Sequence, residues 1–319
     1  MPVTVDIRRM GVDHKRHDKT AEIGVLPNLL NEDPRLYGLL EEENQMDLKK
    51  GCEHYKDEGY GDLYHSLFDC IFKTSKTGVP LKEVLGSDFV STRRNLISFA
   101  QSAFTKSAFF IRAIRKKGVI FLCDKRSQYE GPDRTPGHGY KFEQYMTLKD
   151  NGEPHGEDDP VSNAECSRAV IRTTFKSGDE DIKVVYAAEI DARDKEGNFV
   201  EIKSNGGILD KWIQTRSLGV YLQGYLGGIS HVVRGQTSED KVVEKVDKIP
   251  IENLPHMGVT WNPQVCMERL FEVLREIKQK LDKDDEAIKI LIGGGEINYE
   301  TEDISECNFV DPHFLDQFK

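Results

Sequence analysis

VVYAAEIDARDKEGNFVEIKS, residues 184–204, is the stretch that decides the fold of this chain. It opens with an apolar run at 184–188, which is typical of a buried strand. DKEGN at 194–198 is a turn signal, in which Gly197 can take the left-handed conformation that closes a short loop. The stretch therefore predicts two antiparallel strands joined by a tight turn, which is a β-hairpin.

One face of this hairpin is expected to carry three carboxylates and one lysine, since side chains alternate between the two faces of a strand. These four residues are Glu189, Asp191, Glu201 and Lys203. Counting back from the turn sets Asp191 opposite Glu201 and the other two residues opposite each other. The intervening Ile190 and Ile202 then point the other way, into a core.

Three converging acids repel one another unless a cation lies between them. Oxygen ligands of this kind suit Mg²⁺ or Mn²⁺, and we expect one or two ions. A lysine beside them can orient a water or stabilise charge on a phosphoryl oxygen. Glu-x-Asp followed by Glu-x-Lys is the signature of metal-dependent nucleases. The alternative is a half-exposed hairpin with a solvated charged face, and the apolar run before Glu189 weighs against it.

Composition indicates a single domain over residues 1–319, with 38% hydrophobic and 31% charged residues. Residues 1–45 are expected to form a polar lead-in, and residues 302–319 an acidic peripheral tail. We expect no membrane span, because no apolar run is long enough, and no secretion, because the N-terminus lacks an apolar signal segment. The six cysteines show no CxxC pair. This indicates reduced thiols and a location in the nucleus, the cytoplasm or both.

The charge of the chain is negative overall but locally positive. The net charge of −11 argues against non-specific coating of nucleic acid. Residues 91–126 nevertheless contain nine basic residues and one acidic residue, the balance expected of a segment that grips nucleic acid beside an acidic site. The alternative is an ordinary solvated basic surface. Three aromatic residues are candidates for base stacking if they face the site: Phe104, Phe109 and Phe110.

Helices and strands are predicted to be interspersed without strict βαβ alternation, which indicates an α/β fold with a mixed sheet. Helices are expected at 60–73, 95–104, 209–225 and 263–281. Strands are expected at 168–175, 182–190, 229–233 and 287–292, and a second hairpin at 108–124. Loops are expected at 130–138 and 149–159, which are rich in turn-forming residues.

Three further motifs offer partners for the acidic hairpin. GYKFE at 139–143 presents Glu143 as a fourth carboxylate. FVSTRRNL at 89–96 runs from an extended segment into a helix, where Arg93 can bind a phosphate through two hydrogen bonds. Gln223 lies on the helix after the hairpin. Each of these motifs alone also fits ordinary packing or a solvated surface.

The order of these motifs along the chain resembles the DXO-type decapping and deNADding exonucleases, over roughly residues 47–237. That resemblance implies a single α/β domain with the mixed two-sheet core of D-(D/E)xK nucleases and surrounding helices. It implies metal ligands at Glu143, Glu189, Asp191, Glu201 and the backbone carbonyl of Ile202. It also implies that Lys203 and Gln223 hold the scissile phosphate and the attacking water, and that Arg93 binds the RNA backbone.

The resemblance further implies hydrolysis at RNA 5′ ends, which removes incomplete or non-canonical caps, including NAD, and degrades RNA 5′→3′. One alternative is a catalytically weak scaffold that binds an exoribonuclease or an RNA 5′ end. Another is a DNA nuclease with the same core, because the 2′-hydroxyl contacts that select RNA are not visible in a sequence. Association with an exoribonuclease is expected from the resemblance, and we expect the chain itself to be a monomer.

Overall fold

The computed structural model describes residues 2–59, 62, 64–76, 78–124 and 137–319. The strands in these residues are β1 (Thr4–Lys15), β2 (Ala21–Ile23), β3 (Gly38–Leu39), β4 (Met46–Asp47), β5 (Phe89–Thr92), β6 (Phe109–Lys116), β7 (Val119–Cys123), β8 (Cys166–Ser177), β9 (Glu180–Glu189), β10 (Ala192–Arg193), β11 (Phe199–Gly206), β12 (Ile229–Thr237), β13 (Val242–Pro250), β14 (Ala287–Gly293) and β15 (Glu296–Thr301). The α-helices are α1 (His65–Thr74), α2 (Leu81–Leu85), α3 (Arg93–Gln101), α4 (His138–Tyr145), α5 (Leu209–Gly227), α6 (Pro263–Lys280) and α7 (Pro312–Leu315).

The strands form two mixed sheets. The larger has nine strands in the order β15-β14-β6-β7-β5-β9-β8-β1-β2, and the smaller has six, in the order β10-β11-β12-β13-β3 with β4 also on β13. β5 runs parallel to both of its neighbours, and β11 runs parallel to β12. The other pairings of named strands are antiparallel. The expected mixed two-sheet α/β fold is confirmed.

The strand β9 lies in the larger sheet, and both of its faces are buried. Its alternate residues Val184, Tyr186 and Ala188 face the main core, into which α3, α5 and α6 also pack. Val185 faces a second core, beneath α1 and α2. A third core lies between α4 and the smaller sheet. A strand with both faces buried has a continuous apolar run, which is the pattern of residues 184–188.

The predicted hairpin at 184–204 is wrong as one continuous unit. β9 ends at Glu189, and the chain then crosses to the smaller sheet, where β10 pairs with β11. Ile190 is buried in the main core, whereas Ile202 is buried in the third core. The reason is that period-two alternation fixes faces only while a chain stays in one sheet. The tight turn itself is confirmed, with Gly197 at φ +84°.

The N-terminal region is not the expected polar lead-in. β1 contributes a full strand to the larger sheet and pairs with β8 along its length. The register shifts between Arg9 and Gly11. Odd-numbered residues of β1 therefore face the core before the shift, and even-numbered residues face it after the shift. The core-facing residues are accordingly Val5 and Ile7 before the shift and Val12 after it. Because the alternation of core-facing residues changes at this shift, the sequence does not show the regular pattern of a strand.

The C-terminal region is acidic but not peripheral. Five of its residues are buried, all of them in the second core: Cys307, Phe309, Val310, Phe314 and Phe318. The ring of Phe314 stacks on Phe68 of α1 with centroids 4.0 Å apart. The tail therefore forms one wall of the second core.

Replacing Phe314 with alanine is expected to lower the free energy of unfolding by about 3 kcal/mol, because a buried aromatic ring is removed from a packed core. Urea unfolding followed by circular dichroism measures this change. Asp316→Ala, an exposed change on the same tail, is the control and is expected to have little effect. An equally small effect of Phe314→Ala would show that the tail does not support the core.

Most of the other predicted elements are confirmed. The hairpin at 108–124 forms from β6 and β7, and the helices near 209–225 and 263–281 form α5 and α6. The predicted helix at 60–73 corresponds to α1, although residues 60, 61 and 63 lie outside the described residues, as does most of the predicted loop at 130–138. Among the helices that the structure describes, none is long and apolar enough to cross a membrane.

Candidate active site

The acidic side chains come together where the two sheets meet. Glu189 is the last residue of β9, Asp191 lies on the crossing segment, and Glu201 lies on β11. Glu143 projects from α4, which packs against β11 through the third core. The segment after β9 has left the larger sheet, so Asp191 reaches the smaller one, where its Oδ2 accepts a hydrogen bond from the backbone N of Ile202 at 2.7 Å.

Lys203 lies among these acids, and its ammonium is shared between two of them. Its Nζ bonds to Oε1 of Glu201 and lies 3.6 Å from Oδ2 of Asp191. Burial acts to lower the pKa of Lys203, but Asp191, Glu201 and Glu143 outweigh it, so the pKa is raised. The ammonium is therefore held in its charged form and offsets part of the negative charge.

Glu201 is the most enclosed acid of the site, with a side chain that is 0% exposed. Its Oε1 also accepts a hydrogen bond from Nε2 of Gln223, whereas its Oε2 is buried without a hydrogen-bond partner. Burial raises the pKa of Glu201 to about 7, and the charge of Asp191 adds to this effect, while Lys203 opposes it.

Two further acids, Glu143 and Glu189, also have raised pKa values. Burial raises the pKa of Glu143 well above its usual value, and Asp191 raises it further. The side chain of Glu189 is open to solvent on one side, but surrounding protein atoms and Asp191 raise its pKa too. Asp191 raises the pKa of all three glutamates, so its negative charge lies within electrostatic reach of each of them.

The raised pKa of Glu201 predicts a dependence of stability on pH. The folded protein holds this proton up to about pH 7, whereas the unfolded chain loses it near 4.5, so folding is favoured at low pH. As the pH rises through this window, the free energy of unfolding of the metal-free protein is expected to fall by roughly 3 kcal/mol. Chemical denaturation at a series of pH values, for the protein and for Glu201→Gln, measures the difference. If the free energy of unfolding depended on pH in the same way in both proteins, the raised pKa of Glu201 would be contradicted.

Arg93 and Gln223 both lie at the site, and each contacts the other. Nη1 of Arg93 donates to the backbone carbonyl of Gln223 at 3.1 Å and lies 4.0 Å from Oε2 of Glu201. Arg93 is buried beneath the acids, rather than on an open surface where it would meet an RNA backbone directly. A side chain at Gly227 would clash with this guanidinium, because an added Cβ would lie 2.6 Å from Nη1.

Two supports of Glu143 escaped the sequence reasoning. Lys141 of the same motif is fully buried and bonds to the carbonyls of Gly156 and Asp159 at 3.3 and 3.2 Å, which ties α4 to the loop at 149–159. Gly235 of β12 faces the ring of Phe142, and an added Cβ would lie 2.6 Å from that ring.

Besides Arg93, four of the nine basic residues of the segment 91–126 form ion pairs with acids, which the sequence did not predict. These four residues pair with acids that follow α6 or lie nearby in the fold: Arg94 with Asp124, Arg112 with Glu302 and Glu306, Arg115 with Asp284, and Lys116 with Asp285. These partners are mostly remote in sequence, so a local charge count could not reveal them. Lys125 and Arg126 lie outside the described residues.

The expected stacking residues are also mostly unavailable. The guanidinium of Arg112 and the ammonium of Lys289 lie 5.0 and 4.8 Å from the ring centroid of Phe110. Phe109 packs against the main core. Phe104 is exposed, although it lies beyond the end of α3 rather than among the acids.

The chemistry of the site fits a divalent cation. Buried carboxylates are stable as anions only when positive charge is near, and Oε2 of Glu201, which accepts no hydrogen bond, is a ligand atom of the required kind. In the part of the chain that the structure describes, no three His, Cys, Asp or Glu side chains are already grouped for metal ligation. The Lys203 ammonium instead bridges Asp191 and Glu201, so binding of a cation requires these side chains to adjust.

Acids and a lysine at the junction of two mixed sheets define the class of this protein, a nuclease of the D-(D/E)xK type. Comparisons with known proteins agree. The model of the family described as RAI1 like PD-(D/E)XK nuclease matches residues 25–314. The chain belongs to this RAI1-like family of nucleases, and the resemblance seen in the sequence is confirmed.

Named relatives fall in the same group. Decapping nuclease dom-3 of Caenorhabditis elegans is 27% identical over 298 residues, which cover 86% of this chain and 75% of the relative. The crystal structure of Candida albicans Rai1 in complex with pU5-Mn²⁺ has a TM-score of 0.73 at 16% identity and covers 99% of this chain and 95% of that one. Scheffersomyces stipitis Rai1 in complex with (3′-NADP)⁺ and calcium ion has a TM-score of 0.74 at 15% identity, covering 98% and 95%. The structural likeness shows the fold.

Proposed function

We propose that this protein is a Mg²⁺- or Mn²⁺-dependent hydrolase of RNA 5′ ends. It would remove incomplete or non-canonical caps, including NAD, by cleaving a phosphodiester or pyrophosphate bond, and would degrade RNA 5′→3′. The observation that carries this proposal is the environment of Glu201, which shares one oxygen between Lys203 and Gln223, while the other accepts no hydrogen bond and lies 4.0 Å from Arg93. The Candida albicans structure, whose title names pU5 and Mn²⁺, supports the class of substrate and cofactor.

The residues that would hold one or two metal ions are Glu143, Glu189, Asp191, Glu201 and the backbone carbonyl of Ile202. Such ions supply positive charge that activates a water and offsets charge on the phosphate. The ammonium of Lys203 would donate to a phosphoryl oxygen as negative charge builds up in the transition state. The amide of Gln223 would orient the attacking water, because its Nε2 already bonds to Glu201.

Arg93 would act mainly as a positioning residue. Its guanidinium donates to the backbone carbonyl of Gln223 and lies 4.0 Å from Oε2 of Glu201, so it would hold the backbone at Gln223 close to the Glu201 carboxylate. Its positive charge also opposes the rise in the pKa of Glu201 and favours the ionised form that a metal requires. Direct contact between Arg93 and RNA stays a prediction.

The substrate range can be tested with a panel of RNAs that share one sequence and differ at the 5′ end: monophosphate, triphosphate, NAD, unmethylated cap and hydroxyl. We expect Mn²⁺-dependent release of a nucleotide or a cap from at least one of them, with no release when EDTA is added. If folded protein that binds Mn²⁺ hydrolyses none of the five, the hydrolase proposal fails and the scaffold alternative is favoured.

The same proposal includes a monomer located in the nucleus, the cytoplasm or both, which associates with an exoribonuclease. The six free cysteines support a reducing compartment. The cost of keeping four carboxylates close together speaks against a purely structural role for the site. Light scattering tests the monomer, and affinity purification followed by mass spectrometry tests for the exoribonuclease.

A further inference from the structure

A cavity of about 340 Å³ lies between α6 and β15, at one edge of the larger sheet. Its residues from α6 are spaced three or four apart and so share one face of that helix: Arg269, Glu272, Val273 and Glu276. Residues 295–299 form the opposite wall. Four strands, β14, β6, β7 and β5, separate β15 from β9. At about 4.8 Å per strand, the cavity is roughly 24 Å from the acids at the end of β9, so it is separate from the proposed active site.

The strand β15 has a neighbour on one side only, and the hydrogen-bond pattern shows which of its backbone groups remain open. The N–H of Glu302 donates to the carbonyl of Ala287 at 3.0 Å, which makes these two residues a hydrogen-bonded pair of the antiparallel ladder. Such pairs alternate with non-hydrogen-bonded pairs along the strands. The register therefore turns the N–H and C=O groups of Ile297, Tyr299 and Thr301 away from β14. Within the described part of the chain, no group bonds to them.

The residues with open backbone groups also direct their side chains toward α6. Ile297 and Tyr299 pack against the main core, which α6 covers, whereas alternate residues such as the exposed Glu300 project from the opposite face. In a strand added to β15, the residues that bond to these open groups would project from the same face as Ile297 and Tyr299. Every second side chain of the added strand would therefore enter the cavity.

The cavity is acidic. Glu272, Glu276 and Glu296 line it, and none of the three forms an ion pair with any residue that the structure describes. Glu272 and Glu276 lie one helical turn apart, a spacing at which like charges repel each other. Burial raises the pKa of Tyr299 and Glu276 raises it further, so the Glu276 carboxylate lies near the hydroxyl of Tyr299. A positively charged ligand would relieve this repulsion.

Two cations lie nearby, but neither forms an ion pair with these acids. Arg269 is bound elsewhere, because its Nη2 bonds to the carbonyl of Gly295 and its Nε donates to the hydroxyl of Ser102 at 3.3 Å. The ammonium of Lys280 lies 4.9 Å from the ring centroid of Tyr299. The negative charge of the cavity thus remains available to a basic partner.

We propose that this edge binds an extended segment of a partner protein that carries lysine or arginine at alternate positions. The backbone of the segment would add a strand to β15, and its basic side chains would lie beside Glu272 and Glu276. RNA does not fit this edge, since the same acids would repel its phosphates. A second copy of the chain does not fit either, because pairing of β15 with itself would bring its glutamates together in a protein of net charge −11.

The experiment compares three short labelled peptides with capped ends, and fluorescence anisotropy measures their binding. In the first peptide lysine alternates with threonine. The second has the same composition, with the lysines and the threonines grouped into two runs, and in the third glutamate replaces lysine. The unaltered protein is expected to bind the first peptide about ten-fold more tightly than the other two, because that peptide alone matches both the ladder and the acids.

Variants of the protein separate charge from strand addition. Glu272→Gln combined with Glu276→Gln is expected to weaken binding of the first peptide by about ten-fold. Glu239→Gln combined with Glu300→Gln removes the same charge from exposed positions outside the cavity, and its binding is expected to stay within about two-fold. Thr301→Pro removes an N–H that points away from β14, so it is expected to weaken binding about five-fold and to leave hydrolysis of RNA unchanged.

Several results would overturn the proposal: no binding of the first peptide, equal binding of the grouped peptide, or equal binding by the two double variants. Light scattering that shows a dimer in the unaltered protein and a monomer in Thr301→Pro would assign the edge to a second copy, which also overturns it. Melting curves show which variants are folded, and the double variants decide the question if Thr301→Pro is not. Failure of the proposed hydrolase is separate, since it appears in the RNA panel and concerns the distant acids.

Discussion

Replacing Glu201 with glutamine is expected to reduce hydrolysis of RNA by about a thousand-fold or more. The amide keeps the shape and one hydrogen-bonding oxygen of the side chain, but it removes the negative charge that a divalent ion requires. The loss is expected in kcat, because the missing interaction acts mainly on the charge that develops in the transition state. Initial rates across a range of RNA concentrations, with saturating Mn²⁺, measure it.

The control for this experiment is Glu196→Gln, which makes the same chemical change in the exposed turn before β11. It is expected to leave kcat within a factor of about two, since surface changes have small effects. A circular dichroism spectrum and a melting curve show that both variants are folded. Activity of Glu201→Gln within about ten-fold of the unaltered protein would exclude Glu201 as a metal ligand essential to the reaction.

Replacing Lys203 with methionine is expected to have three linked effects. Turnover falls by about a hundred-fold, because the donor to the phosphoryl oxygen is lost. The metal-free protein loses about 3 kcal/mol of stability, because Asp191 and Glu201 lose the ammonium between them. Mn²⁺ binds more tightly, because it no longer competes with that ammonium for the same oxygens.

Calorimetric titration with Mn²⁺ and melting curves with and without the ion measure the second and third effects. The stabilisation by Mn²⁺ is expected to be larger in Lys203→Met than in the unaltered protein. Lys245→Met removes a lysine from an ion pair with Asp247 on β13 and is the matched control. Weaker Mn²⁺ binding in Lys203→Met, together with unchanged stability of the metal-free form, would contradict the role given to this residue.

The sequence predicted the local features of the site because they depend on short-range rules. The turn before Asn198 requires a residue with positive φ, and Gly197 supplies it. The long helix α5 ends where Gly228 takes the left-handed conformation, close to the predicted end at residue 225. Both features can be read from a few neighbouring residues.

The longer-range features could not be read in this way. The alternation around Ile190 is the same whether the chain continues in one sheet or crosses to another, so the hairpin was the simpler interpretation. Most partners of the basic segment lie in residues 282–306, and the register shift in β1 hides the core-facing side of that strand.

The C-terminal tail illustrates the limit of composition. Its many acids favoured a solvated segment, but its aromatic residues fill the second core. Charged and buried residues alternate there every few positions, and the average composition of the segment does not show which positions are buried. The helical turn that presents Phe314 begins at Pro312, which a capping argument on Asp311 could have found.

The most direct test of the account is a crystal of the protein soaked with Mn²⁺ and measured at the manganese absorption edge. The account predicts an anomalous peak bounded by carboxylate oxygens of Glu143, Asp191 and Glu201, with the Lys203 ammonium moved away from Asp191. A peak at some other position, or none at saturating Mn²⁺, would contradict the claim that these acids form the metal site of a nuclease.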